Sequence, residues 1–201
     1  MQKELKQLKE LRKQGKSMRL AAESWKSDYQ ILISITLSAR TRDEKTIPVA
    51  GELFKRYYTA EKLSKARLSD VQRIIRPINF YRNKSKNIIN CAKILVRTYG
   101  GKVPHDFEKL VLLPGVGRKT ANVFLSGVGY SEIGIDTHVA YISRKIGWTS
   151  HQTQEKIEQD LKNLFPEKYW GNVNSTLVRF GKTFTSRKKK DEILERIKKI
   201  K

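Results

Sequence analysis

The stretch "LPGVGRKTANVFLSGVG", Leu113–Gly129, sets Gly115 and Gly117 ahead of a run that turns apolar at helical spacing, with Arg118 and Lys119 at the join. Glycines that open a helix permit a tight turn or the close approach of a ligand backbone. The first-turn N–H groups, with the positive end of the helix dipole, hold phosphate without reading sequence. A lysine in that turn is under opposing demands. The dipole and the neighbouring Arg118 both disfavour its charged form, and partial burial would act in the same direction. A neutral amine is a nucleophile able to form a Schiff base. As one of 42 Lys and Arg in the chain, Lys119 would equally serve as a plain phosphate contact. The local sequence leaves both readings open.

A second chemical group follows in "GIDTHVAYISR". An Asp ahead of a helix is an N-cap by default, and Asp136 fits that role. It also fits a carboxylate that stabilises positive charge developing on a sugar and helps manage protons. One helix and one turn separate it from Lys119, so the chain can fold back and bring the two together. The roles are compatible, and the residues alone do not choose between them.

Composition narrows the partner. The 201 residues carry a formal net charge of +22 with pI near 10.1. Self-repulsion on that scale opposes compaction, and its usual partner is polyanionic, nucleic acid before membrane surface. A Lys-rich or thermophilic proteome is the plainer source of such charge. The single cysteine, Cys91, excludes an intrachain disulfide framework and any Cys-rich metal site. Its apolar surroundings in "NIINCAKILV" read as a buried structural thiol. No stretch of about twenty apolar residues is present, so no membrane span is expected. The N-terminus lacks the apolar region of a signal peptide. A soluble, intracellular protein is expected.

The elements that must position these groups read as helices nearly throughout. Leu5, Leu8 and Leu11 line one face of a cationic N-terminal helix. "SDYQILISITLSART" (Ser27–Thr41) begins at a Ser/Asp cap and is apolar nearly all round, as a central buried helix should be. Pro48 and Gly51 blur the register of the next helix, and Ser69 and Asp70 are candidate caps further on. Ile88, Ile89, Ala92, Leu95 and Val96 share one face of a helix that stops at Gly100-Gly101. The helix after "GVG" is expected from about Lys119 to Ser126. The tail "SRKKKDEILERIKKIK" keeps Ile193, Leu194, Ile197 and Ile200 at a spacing that favours a docked amphipathic helix. "VFLSGVGYSEIGI" is a poor candidate for a strand pair. The expected fold is all-α, roughly ten short helices with short connections and no internal repeat.

"LPGVGRKTANV" followed by "IDTHV" resembles the helix-hairpin-helix DNA glycosylases, most closely their endonuclease III branch. "ILISITLSARTRD" (Ile31–Asp43), "IRPINFYRNKSKNII" and "GGKVPHDFEKLVLLPGVG" resemble further segments of that branch, in the same order, so the similarity spans roughly Tyr29 to Phe184. The resemblance implies two helical lobes with a DNA-binding cleft between them, one of residues 25–131 with six helices and the hairpin, the other of 1–24 plus 132–201. It places Lys119 on the catalytic lysine, hence a bifunctional glycosylase and AP lyase, and Asp136 on the catalytic aspartate. Leu113, Gly115, Val116 and Gly117 become the hairpin that grips the phosphate backbone, with a monovalent cation on its carbonyls. Arg118, Thr120, Lys84 and His138 become DNA contacts, His138 alternatively orienting its loop. The implied partner is double-stranded DNA with damaged or abasic sites, bound by a monomer in the cytoplasm on the nucleoid, or elsewhere inside the cell.

Three departures from the branch's pattern matter. Its members typically end in four cysteines on a [4Fe–4S] cluster. Here Thr185 stands near the first such position and no cysteine follows, so no cluster is expected. Arg40 stands where Gln is usual, at the residue that enters the gap left by a flipped base. Arg pairs with guanine through two hydrogen bonds, so the preferred opposite base is expected to differ. Phe80 stands at the wedge position, where Leu is common. It reads equally as a base-stacking aromatic or as core. Tyr29 reads as core or as lining of the lesion pocket, and Trp25, Trp148 and Trp170 as packing. Oxidised pyrimidines are the expected substrates. The alternatives are mismatched uracil or thymine, 8-oxoguanine, and a helix-hairpin-helix DNA-binding module without catalysis.

Overall fold

The computed structural model describes residues 2–18, 20–23, 25–130 and 132–201. Among them are twelve α-helices, two single 3-10 turns and no strand. In chain order the helices are α1 Gln2–Gln14, α2 Asp28–Ser38, α3 Asp43–Arg56, α4 Ala60–Ser64, α5 Leu68–Ile75, α6 Tyr81–Tyr99, α7 Phe107–Val111, α8 Arg118–Gly127, α9 Thr137–Ile146, α10 Gln154–Leu164, α11 Trp170–Thr183 and α12 Arg187–Lys198. They fall into two units, Arg19–Val128 and Met1–Met18 with Gly129–Lys201. Residues 24 and 131, which bound the lobes expected from sequence, lie outside the described residues.

The unit of α2–α8 is organised by α2. Ser27 accepts the Gln30 N–H and starts the helix, and Tyr29 and every residue from Ile31 to Leu37 is buried. A helix without a polar face has to be surrounded, and α3, α6 and α8 pack around this one. Tyr29 is core: its hydroxyl donates to Tyr57 O at 3.0 Å, its ring meets Phe54 edge-on, and burial pushes its phenol far above the usual range. Cys91 is buried in α6, and burial pushes its thiol up to about 12, which keeps it inert. The caps expected at Ser69 and Asp70 do not form. The N-cap of α5 is Arg67, without a side-chain bond, and Asp70 pairs instead with Arg73 and Arg56.

In the other unit α1 packs on α11 and α12, and α9 packs on the same two helices. The tail forms α12, capped by Ser186, with Ile193, Leu194 and Ile197 buried. A buried polar clasp completes that packing. Gln7 Nε2 donates to Ile197 O at 3.2 Å and Lys198 O at 3.3 Å, while Gln7 Oε1 accepts from Trp148 Nε1 at 2.7 Å. The glutamine thus pairs with carbonyls at the C-terminal end of α12, of which Ile197 O also accepts the Ile200 N–H at 3.1 Å.

Candidate active site and DNA interface

The glycine hairpin is fastened by its side chains and presents its backbone. Leu113 and Val116 are buried, and the Val116 N–H donates to Leu113 O at 3.0 Å. Gly115 adopts φ +82°, and a Cβ there would lie 3.0 Å from Asn87 Cβ and 3.3 Å from Thr36 Cγ2. Both conformation and space therefore require glycine, and the turn sits directly on α6 and α2. Gly117 is the N-cap of α8, offers no side chain to its first turn, and would carry a Cβ into open space. Among the described residues nothing demands glycine there.

At the start of α8 the Arg118 guanidinium lies over the Phe107 ring at 4.9 Å. Lys119 is exposed. The burial expected around it is absent. Thr120 was expected to contact DNA. Its side chain is buried in the packing of α8.

Arg40, Phe80 and Lys84 are brought together, though not in equivalent roles. Phe80 is 58% exposed, which excludes the core reading. It and Arg40 are the non-glycine residues with positive φ among those described, at 59° and 55°. That region costs an L-residue about 1–2 kcal/mol, and surrounding contacts must hold it. The Arg40 guanidinium lies 5.7 Å from the Phe80 ring centre. Asn79 Nδ2 donates to Arg40 O at 2.5 Å, and the Asn79 N–H donates to Thr41 Oγ1 at 3.2 Å.

Lys84, expected to touch DNA, does not present its ammonium to solvent. It is 7% exposed and donates to Leu37 O at 2.7 Å, Ala39 O at 2.5 Å and Thr41 Oγ1 at 3.4 Å. A cation at the C-terminal carbonyls of α2 is favoured by the helix dipole, which explains the inward direction. Burial pushes the Lys84 amine down to about 8. Sequence reasoning missed Asn79 and Thr41. Their partners lie some forty residues away along the chain, so no local pattern signals them.

Asp136 and His138 belong to the start of α9. Asp136 is its N-cap, and Oδ1 accepts the His138 N–H at 2.8 Å and the Val139 N–H at 2.9 Å. The capping role is thus realised. The carboxylate itself is half-buried. The His138 ring lies against Gly181 of α11, where an added Cβ would fall within 2.4 Å of Nδ1. The ring is thus packed closely against α11.

A [4Fe–4S] cluster does not fit these residues. It needs thiolate ligands, the one cysteine is buried in α6, and the segment that would carry the others is α12. Among the described residues no three His, Cys, Asp or Glu converge as a metal site. No helix among the described residues is long and apolar enough to cross a membrane.

Residues 33–167 match the family model of the HhH-GPD superfamily base excision DNA repair proteins. Endonuclease III of Thermotoga maritima is 44% identical over 156 residues, covering 77% of this chain and 73% of the relative. Endonuclease III of Bacillus subtilis is 36% identical over 158 residues, covering 77% and 71%. The solved structure of a trapped endonuclease III–DNA covalent intermediate superposes with TM-score 0.84 at 31% identity, over 92% of this chain and 87% of that one. A thermostable thymine-DNA glycosylase shares the fold at TM-score 0.83 and 18% identity, over 94% and 90%. A glycine hairpin that offers its backbone, an exposed lysine one residue into the following helix and matches of this extent lead to one conclusion: the chain belongs to the endonuclease III family of the HhH-GPD superfamily.

Proposed function

We propose that this base-excision-repair glycosylase and AP lyase uses Lys119 as its nucleophile, Asp136 as its charge-stabilising carboxylate, and oxidised pyrimidines in double-stranded DNA as its substrates. Excision of a damaged base with cleavage at the abasic site is the activity of the family, and DNA is the partner. The observation that carries the residue assignment is the exposed Lys119 in the first turn of α8, directly behind the hairpin.

The target nucleotide leaves the stack while the hairpin amides hold the backbone. Lys119 Nζ bonds to C1′ as the glycosidic bond breaks, and the electron pair leaves with the base, which takes up a proton. The sugar ring opens to a Schiff base between Nζ and C1′. Loss of a C2′ proton and departure of the 3′ phosphate cut the strand by β-elimination. Water then releases the lysine. Asp136 stabilises the positive sugar before the amine bond is complete.

No iron–sulfur cluster takes part in this reading, and a monovalent cation on the hairpin carbonyls is part of it. The protein works as a monomer on intracellular DNA, at the nucleoid. Borohydride reduction on an abasic-site duplex tests the assignment. The native chain is expected to give a covalent adduct and Lys119→Ala none. Equal adducts from both would remove Lys119 from the mechanism. A panel of duplexes carrying thymine glycol, uracil, thymine opposite guanine, and 8-oxoguanine tests the substrate, with thymine glycol expected to turn over fastest.

A further inference from the structure

We propose that Lys84 is a positioning residue that staples the Arg40 turn to the Phe80 turn, so that two exposed left-handed residues meet DNA as one rigid pair. The inference rests on the glycosylase reading above but concerns a different part of the molecule from the Lys119 chemistry. Arg40 lies in the turn after α2, and Phe80 is the N-cap of α6. Neither turn has glycine at its left-handed position, so each conformation needs outside support.

That support comes from a small set of polar atoms. Lys84 stands one helical turn after Phe80, and its N–H donates to Phe80 O at 3.0 Å. Its ammonium reaches across to Leu37 O and Ala39 O, on either side of the end of α2, and to Thr41 Oγ1. Thr41 Oγ1 also accepts the Asn79 N–H, and Asn79 Nδ2 holds Arg40 O. The carbonyls before Arg40, its own carbonyl, and the hydroxyl after it are therefore all tied to the segment carrying Phe80. No carboxylate takes part in these bonds. A buried ammonium served only by carbonyls and a hydroxyl bonds to backbone shape rather than to a counter-charge.

The geometry follows from this arrangement. The Arg40 guanidinium and the Phe80 ring are 5.7 Å apart and exposed. A pair of that kind can place an aromatic face on an unstacked base and a two-pronged donor on the opposite one. Without the staple each turn is free to leave its left-handed conformation, and the pair loses its common register.

The test compares the native chain with Lys84→Met, which keeps the aliphatic stem and removes the ammonium. Abasic-site duplexes carry each of the four bases opposite the lesion, and a second set carries 2-aminopurine there as a fluorescent reporter of unstacking. Lys84→Met is expected still to form the borohydride adduct. Its ratio of kcat/KM between the best and worst opposite base is expected to shrink about fivefold, the low end of what one bidentate base contact discriminates. The 2-aminopurine emission rise on binding is expected to fall with it. General loss of stability would lower all four rates together and leave the ratio alone.

Native-like ratio and emission in a folded Lys84→Met overturn the proposal. If that variant does not fold, Asn79→Ala, an exposed change that removes the tie to Arg40 O, decides in the same two ways. A native chain that forms no adduct overturns the lyase reading, and the emission arm then still decides the positioning role.

Discussion

Asp136 and Lys84 show how one side chain can satisfy two demands. Asp136 caps α9 through Oδ1 and is assigned the charge-stabilising role. The two contributions separate by substitution. Asparagine is as good an N-cap as aspartate, whereas alanine loses about 1 kcal/mol. Asp136→Asn is expected to keep the native Tm while turnover falls about a hundredfold or more; Asp136→Ala should lower both. Equal turnover in the native chain and Asp136→Asn would leave the residue as a cap alone. Lys84 has its amine near 8 in the folded chain against 10.5 unfolded. Between these values the unfolded state binds the extra proton, so the Lys84 contribution to stability rises with pH across that window and is flat below it. The Tm difference between the native chain and Lys84→Met should therefore grow in favour of the native chain from about pH 7 to about pH 10. A constant difference would show that the amine keeps its charge throughout.

At the scale of elements, α12 and the hairpin illustrate opposite uses of local sequence. In α12 the apolar residues do the anchoring: Ile193, Leu194 and Ile197 are buried under a surface rich in Lys and Arg. The Gln7 clasp then closes the helix end. Leu194 is fully buried, so Leu194→Ala is expected to cost about 2–5 kcal/mol, measured by urea unfolding. A loss below that range would mean that the packing beneath α12 relaxes or is dispensable. In the hairpin the buried Leu113 and Val116 anchor a turn at which Gly115 and Gly117 are exposed. Substituting Gly115 meets both a left-handed φ and the Asn87 side chain, whereas Gly117 faces no such limit within the chain.

The whole molecule carries +22, and its affinity for DNA is governed by counterion release. Six phosphate contacts would lose about a thousandfold in affinity between 50 and 200 mM salt. A fall of that order is expected for an undamaged duplex in a fluorescence-anisotropy titration, and a flat response would remove the electrostatic reading of the charge. Lys84→Met should leave the salt slope unchanged, because its ammonium is bonded to carbonyls and neutralises no phosphate. That separates it from the exposed cations, for which each lost phosphate contact reduces the slope by about one unit.

The helices, the buried character of α2, the inert cysteine, the cap at Asp136 and the docked tail were legible in the sequence. Each depends on residues within a few turns of one another, where periodicity and capping act. The DNA-glycosylase reading was legible for a related reason, since the hairpin and its lysine lie in one short run. The exposed residues around Arg40 and Phe80 were legible as positions but not as conformations. The Arg40 turn is held by Asn79 and Lys84 from 39 to 47 residues away. Tertiary packing alone decided that Lys84 turns inward, because the C-terminal carbonyls of α2 compete for its ammonium. Packing likewise decided that Thr120 is core. Charge and spacing identify a cation or a hydroxyl along the chain, but the direction it faces depends on which helix end or apolar surface the fold sets beside it.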